Sequence, residues 1–116
     1  MLIAINSALR HRPAEIRDAG LLAAAATRPH AILSGTEVYP TIEEKAAAVL
    51  HSVVRTRPFT DFNKTTGWIA VRMMLRCQGK RPGMTTSEAV ELIDQLGDTD
   101  LSVAEIVAAL KVISDS

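Results

Sequence analysis

Three times in this chain a hydroxyl residue stands three positions before a glutamate at the threshold of an apolar-periodic run: Thr41-Ile-Glu-Glu44, Thr85-Thr-Ser-Glu88 and Ser102-Val-Ala-Glu105. Each pattern can satisfy two of the amide donors that a helix start leaves unpaired, so each predicts a helix N-terminus. Behind the first, Ala46, Val49, Leu50 and Val53 recur at i, i+3, i+4 and i+7, which predicts an amphipathic helix from Ile42 to about Val54. The second box predicts a helix over about Thr86–Leu96, closed by Gly97 as its C′ residue. The third predicts Val103 to about Ile113, with Ile106, Val107, Leu110 and Ile113 on one face.

Two more helices follow from other signals. From Lys64 to Gln78, Ile69, Val71, Met73, Met74, Leu75 and Cys77 nearly encircle the helical wheel, the pattern of a central element ended by Gly79. Trp68, in the first turns of that helix, reads as packing. Leu21–Ala26 is Ala-rich, with Asp18 placed to cap it and Pro29 forbidding its continuation. A short helix is expected over Leu2–Leu9, and Lys80–Met84 is a candidate extended segment. Aliphatic side chains make up most of the 47% hydrophobic content and aromatics only 3%, which suits interdigitating helices. The expected fold class is all-α, and 116 residues fit a single domain, 1–116.

Thirteen basic and thirteen acidic residues cancel, so no global field draws nucleic acid or an anionic membrane. No apolar run approaches the ~20 residues of a membrane span, and Met1–Asn6 lacks the basic start of a signal peptide. The expected compartment is the cytoplasm. Cys77 is the one cysteine, which leaves no internal disulfide, and its place near the end of an apolar helix suits a buried thiol.

The segment Arg57-Pro-Phe-Thr-Asp-Phe-Asn-Lys-Thr-Thr-Gly67 carries the chemistry. A polar loop runs into a helix whose first turn holds Lys64, so free amides and an ammonium converge as a local anion site for which phosphate is the natural occupant. Asp61 at its rim is a candidate ligand for Mg²⁺, an ion that takes one or two carboxylates and fills its sphere with phosphate oxygens and water. The same residues also suit a plain cap by Asp61 or Asn63 with a solvated Lys64.

In register, Phe59, Asp61, Asn63 and Lys64 resemble the active-site motif of the Fic/Doc family, His-x-Phe-x-Asp/Glu-Gly/Ala-Asn-Gly/Lys-Arg. Asp18–Leu22, Arg28–His30, Tyr39–His51 and Leu101–Glu105 look like Doc-type sequence too, and Lys64 places the chain on the Doc side. The resemblance implies an all-α Fic/Doc domain in which a central helix follows the motif loop. It implies transfer of a phosphoryl or nucleotidyl group from ATP or another NTP, with Mg²⁺, to a hydroxyl of a protein such as a translation factor. Asp61 would hold the metal, and Asn63, Lys64, Thr65 and Thr66 would hold the phosphates. A Phd-like antitoxin is the implied partner, with no direct nucleic-acid or membrane binding.

Three departures bear on activity. Arg57 stands where the family has its catalytic His, and a guanidinium with a pKa above about 12 cannot act as a general base. Thr65 replaces a phosphate-clamping Arg and cannot neutralise charge on a transferring phosphoryl group. Phe62 replaces Gly or Ala, bringing bulk and a restricted backbone where the family keeps a small residue; it is a candidate to fill the cleft. His51 is expected to be hydrogen-bonded in the core, and nothing in the sequence brings His11 or His30 to the motif. The expected function is a Doc-like toxin of a toxin–antitoxin module with attenuated or lost transfer. The alternative is an inactive Fic/Doc pseudoenzyme that binds protein or nucleotide.

Overall fold

A computed structural model describes residues 1–115. The helices are α1 (Leu2–Arg10), α2 (Ala19–Thr27), α3 (Ile42–Thr56), α4 (Asn63–Arg76), α5 (Thr86–Asp98) and α6 (Val103–Leu110), with a 3₁₀ turn at Arg28–His30 after α2. Four two-residue strands form two small antiparallel pairs: β1 (Ile32–Leu33) with β2 (Thr36–Glu37), and β3 (Lys80–Arg81) with β4 (Ile113–Ser114). The fold is all-α. No helix among the described residues is long and apolar enough to cross a membrane.

The antiparallel pair α3–α4 is the axis of the molecule. On one side, Leu50 and Val54 of α3 and Val71 and Leu75 of α4 meet Leu92 and Leu96 of α5 and Ile106 and Leu110 of α6. On the other, Val49, Val53 and Ala70 meet Leu2, Ile5, Leu22 and Ala25 of α1 and α2, with Phe59 of the motif loop sealing the end. Burial of each such Leu or Val contributes about 1.5–3 kcal/mol. Gly67 lets the two helices approach closely, since a Cβ there would lie 3.1 Å from Leu50 Cδ1.

Asp18 caps α2 by accepting from Leu21 N–H, and Thr85 and Ser102 form complete capping boxes with Glu88 and Glu105. At Thr41 only half the box forms: its hydroxyl accepts from Glu44 N–H, but donates to the Glu44 carboxylate in place of the backbone amide. Four other expectations need correction. The fifth helix runs through Gly97 to Asp98, because Arg55 donates to the Leu96 and Gly97 carbonyls and replaces a left-handed glycine cap. The sixth stops at Leu110 with Lys111 in the left-handed region, which frees Ile113 to pair with Arg81. Cys77 is exposed, at the C-cap just past the last buried residue of α4, Leu75. That helix is central but not encircled: Met73 is 46% exposed, between Arg72 and Arg76 on a solvent face.

Candidate functional site

The motif spans the corner between α3 and α4. Arg57 ends α3 in the left-handed region with φ 47°, its N–H bonded to Val53 O. Phe62 starts α4 with φ 57°, also left-handed. A glycine would adopt this backbone freely, and Phe62 holds it at a cost of about 1–2 kcal/mol. Its ring is 46% exposed and does not fill the cleft.

Two supports hold the corner. Asn63 folds back on Phe59: its Oδ1 accepts from Phe59 N–H at 3.0 Å and its Nδ2 donates to Phe59 O at 2.9 Å. The chain before α2 runs alongside, with Arg17 and Asp18 N–H donating to Pro58 O and Thr60 N–H donating to Glu15 O. Arg17 also donates Nε to Arg57 O at 2.6 Å and a terminal nitrogen to Thr56 O at 2.5 Å, capping the carbonyl end of α3. These contacts cross about 40 residues of sequence, and no local pattern in Glu15–Asp18 signals them.

Two open cavities flank the corner. One, about 470 Å³, is lined by Arg17, Arg55, Thr56, Arg57, Thr60 and Asn63. The other, about 310 Å³, is lined by Arg55, Arg57, Lys64 and Asp98 among others. They share Arg55 and Arg57, so four cations surround one region. Arg57 takes part in none of the ion pairs among the described residues, while Lys64 Nζ pairs with Asp94 at 3.0 Å. The first helical bond of α4 is Thr66 N–H to Phe62 O, and Phe62 offers no side-chain cap, which leaves the amides of Asn63, Lys64 and Thr65 at the open end.

The other expected site residues face elsewhere. Thr66 is fully buried, its hydroxyl accepting from Asn6 Nδ2 at 3.2 Å. Thr65 is exposed at the third position of α4. Asp61 turns toward α1: Asn6 Nδ2 donates to its carbonyl at 2.9 Å, and Arg10 Nε lies 3.2 Å from its Oδ1. That approach is an ion pair without hydrogen-bond alignment, and both atoms are buried.

Asp61 as it stands does not suit Mg²⁺ at either cavity, since its Oδ1 faces Arg10 and it lines neither. Nor does an imidazole line either cavity. His51 Nδ1 lies 2.7 Å from an Arg28 nitrogen that can only donate, so the ring proton is on Nε2, which donates to Asp100 at 2.6 Å. That bond holds the Asp100 carboxyl below its ordinary value. His30 lines a separate cavity with Leu22 and Met74.

The sequence model described as Fic/DOC family matches residues 1–75, which spans α1 through α4 and the whole motif corner. The chain belongs to the Fic/Doc family. Toxin Doc of Mycolicibacterium smegmatis is 35% identical over 98 residues, covering 83% of this chain and 75% of that protein. In this Fic/Doc member, then, the whole motif corner, Arg57 and Thr65 included, lies within the matched residues.

Proposed function

We propose that this protein is a Doc-like toxin component of a toxin–antitoxin module whose α3–α4 corner binds the phosphates of ATP or another NTP, with ancestral transfer to a protein hydroxyl strongly attenuated or lost. One observation carries the reading. The two cavities at the corner are ringed by Arg17, Arg55, Arg57 and Lys64, yet no imidazole lines them to take a proton from an incoming hydroxyl.

Arg57 suits bidentate contact with a phosphate, a role open to a guanidinium even though proton abstraction is not. The open amides of Lys64 and Thr65 add the positive end of the α4 dipole. Asn63 serves by holding the loop, since its side chain is occupied by Phe59. Without a general base, transfer falls by about 10²–10⁴-fold, and without the second clamp by a further ~10²–10³-fold.

A pseudoenzyme that holds nucleotide or a partner protein without turnover is the second reading, favoured by the Arg10–Asp61 pair that neutralises the motif carboxylate. Incubation of the folded protein with γ- and α-labelled ATP and a cell lysate separates the two. Weak labelling abolished by Arg57→Ala supports the attenuated transferase. No labelling by a protein that binds ATP supports the pseudoenzyme, and failure to bind any NTP contradicts the first reading and leaves the second only its partner-binding form.

A further inference from the structure

A second basic surface lies away from the motif, along the solvent face of α4. The helix contains Lys64, Arg72 and Arg76 and no acidic residue, in a chain whose charges cancel overall. Arg72 and Arg76 stand four residues apart, where like charges weaken a helix. Arg76 gains from the α4 C-terminus; Arg72 has no such compensation. Neither joins an ion pair among the described residues.

The two arginines form one wall of a groove of about 410 Å³ whose other wall is Lys80, Arg81 and Pro82 of the β3 segment, with Ile69 and exposed Met73 supplying apolar surface. One carboxylate already sits there. Asp115, following β4, reaches Arg81 Nε at 2.7 Å, and its N–H donates to Gly79 O. The groove therefore already holds an acidic side chain carried on an extended backbone.

We propose that this groove docks an acidic, extended segment of a partner protein, with two carboxylates at alternate positions on Arg72 and Arg76. The spacing agrees: four helical residues rise about 6 Å, and alternate residues of a strand lie about 6.6–6.8 Å apart. Charge complementarity calls for an acidic ligand, and the absence of an aromatic ring to stack a base favours a peptide over a single-stranded nucleic acid.

The test uses the full chain and a short fluorescein-labelled peptide in which Glu alternates with Leu and Ser, read by fluorescence anisotropy. Arg72→Gln with Arg76→Gln, both on exposed positions, is expected to weaken binding at least ~tenfold and to flatten its salt dependence, with Lys64→Ala unchanged. Any of four results would overturn the proposal: no binding by the unaltered protein, equal binding by the double variant, loss in Arg57→Ala instead, or tighter binding of a single-stranded oligonucleotide. A dimer in sedimentation that the double variant dissolves would assign the groove to a second copy of this chain, also against the proposal.

Discussion

Arg10 Nε lies 3.2 Å from Asp61 Oδ1, and this pair turns the motif's carboxylate toward α1, away from the cations of the corner. Arg10 is itself held by Pro13 O at 2.6 Å and by Glu15, so α1, the following turn and the motif loop form one unit. Arg10→Ala is expected to destabilise the protein by about 1–3 kcal/mol, because Asp61 Oδ1 is left buried without its partner. Together with Asp61→Ala the effects should fall short of additive by roughly 0.5 kcal/mol or more in urea unfolding. Strict additivity would show that the two residues do not interact.

Asn63 offers an isosteric test of the loop staple. Asn63→Ala leaves Phe59 N–H and C=O buried and unpaired, and should cost about 2–4 kcal/mol. Asn63→Asp keeps the acceptor for Phe59 N–H but sets a buried carboxylate oxygen against Phe59 C=O, so its loss should be at least as large. If both variants unfolded at the wild-type urea midpoint, the staple would carry no weight.

Phe62 holds a left-handed backbone that glycine adopts freely, and about half of its surface stays in solvent. Phe62→Gly should relieve about 1–2 kcal/mol of backbone strain, offset by the freer unfolded chain and the lost contacts of the ring, so urea unfolding should shift by less than about 1 kcal/mol. A larger loss would show that ring packing outweighs the strain. Because the ring leaves the cleft open, Arg57→His with Thr65→Arg is expected to gain labelled-phosphate transfer with Phe62 in place. A gain that came only when Phe62 was also made small would restore the ring to the account of lost activity.

Asp100 sets an acid-side dependence. Its folded pKa is lowered, chiefly by the hydrogen bond from His51 and in smaller part by the nearby Arg55 and Arg28 charges, against an opposing effect of burial. A depressed carboxyl contributes stability that is full above its unfolded value and lost as pH falls through the folded one. The stability gap between wild type and Asp100→Asn should be open near pH ~6 and close below about pH 3.9. A gap that widened in acid would reverse the assigned sign.

Much of this was legible in the residues, for identifiable reasons. Asp18, Thr85 and Ser102 announce helix starts because a cap is a local bond, satisfied within three residues. Helix ends were less legible, because they are settled at a distance: the end of α5 depends on Arg55, and the end of α6 on β3. Ser34-Gly35 reads as a turn and is one, with φ 51° and 79°, but its two-residue strands are too short to show alternation. In the site, the motif marked Arg57 and Lys64, which do line the corner. Arg17 and Arg55 were missed, because a cation brought in from another element leaves no spacing to read. Asp61 and Thr66 lie in the same motif, yet Asn6 and Arg10 of α1 claim them.

A phosphate-binding corner that needs no resident metal is tested most directly by calorimetric titration of ATP, with Mg²⁺ and with EDTA, into the wild-type protein and into Arg57→Ala/Lys64→Ala. The expected result is binding by the wild type that changes less than ~threefold when Mg²⁺ is removed and weakens at least ~tenfold in the double variant. Absence of binding, binding abolished by EDTA, or equal affinity in the variant would contradict it.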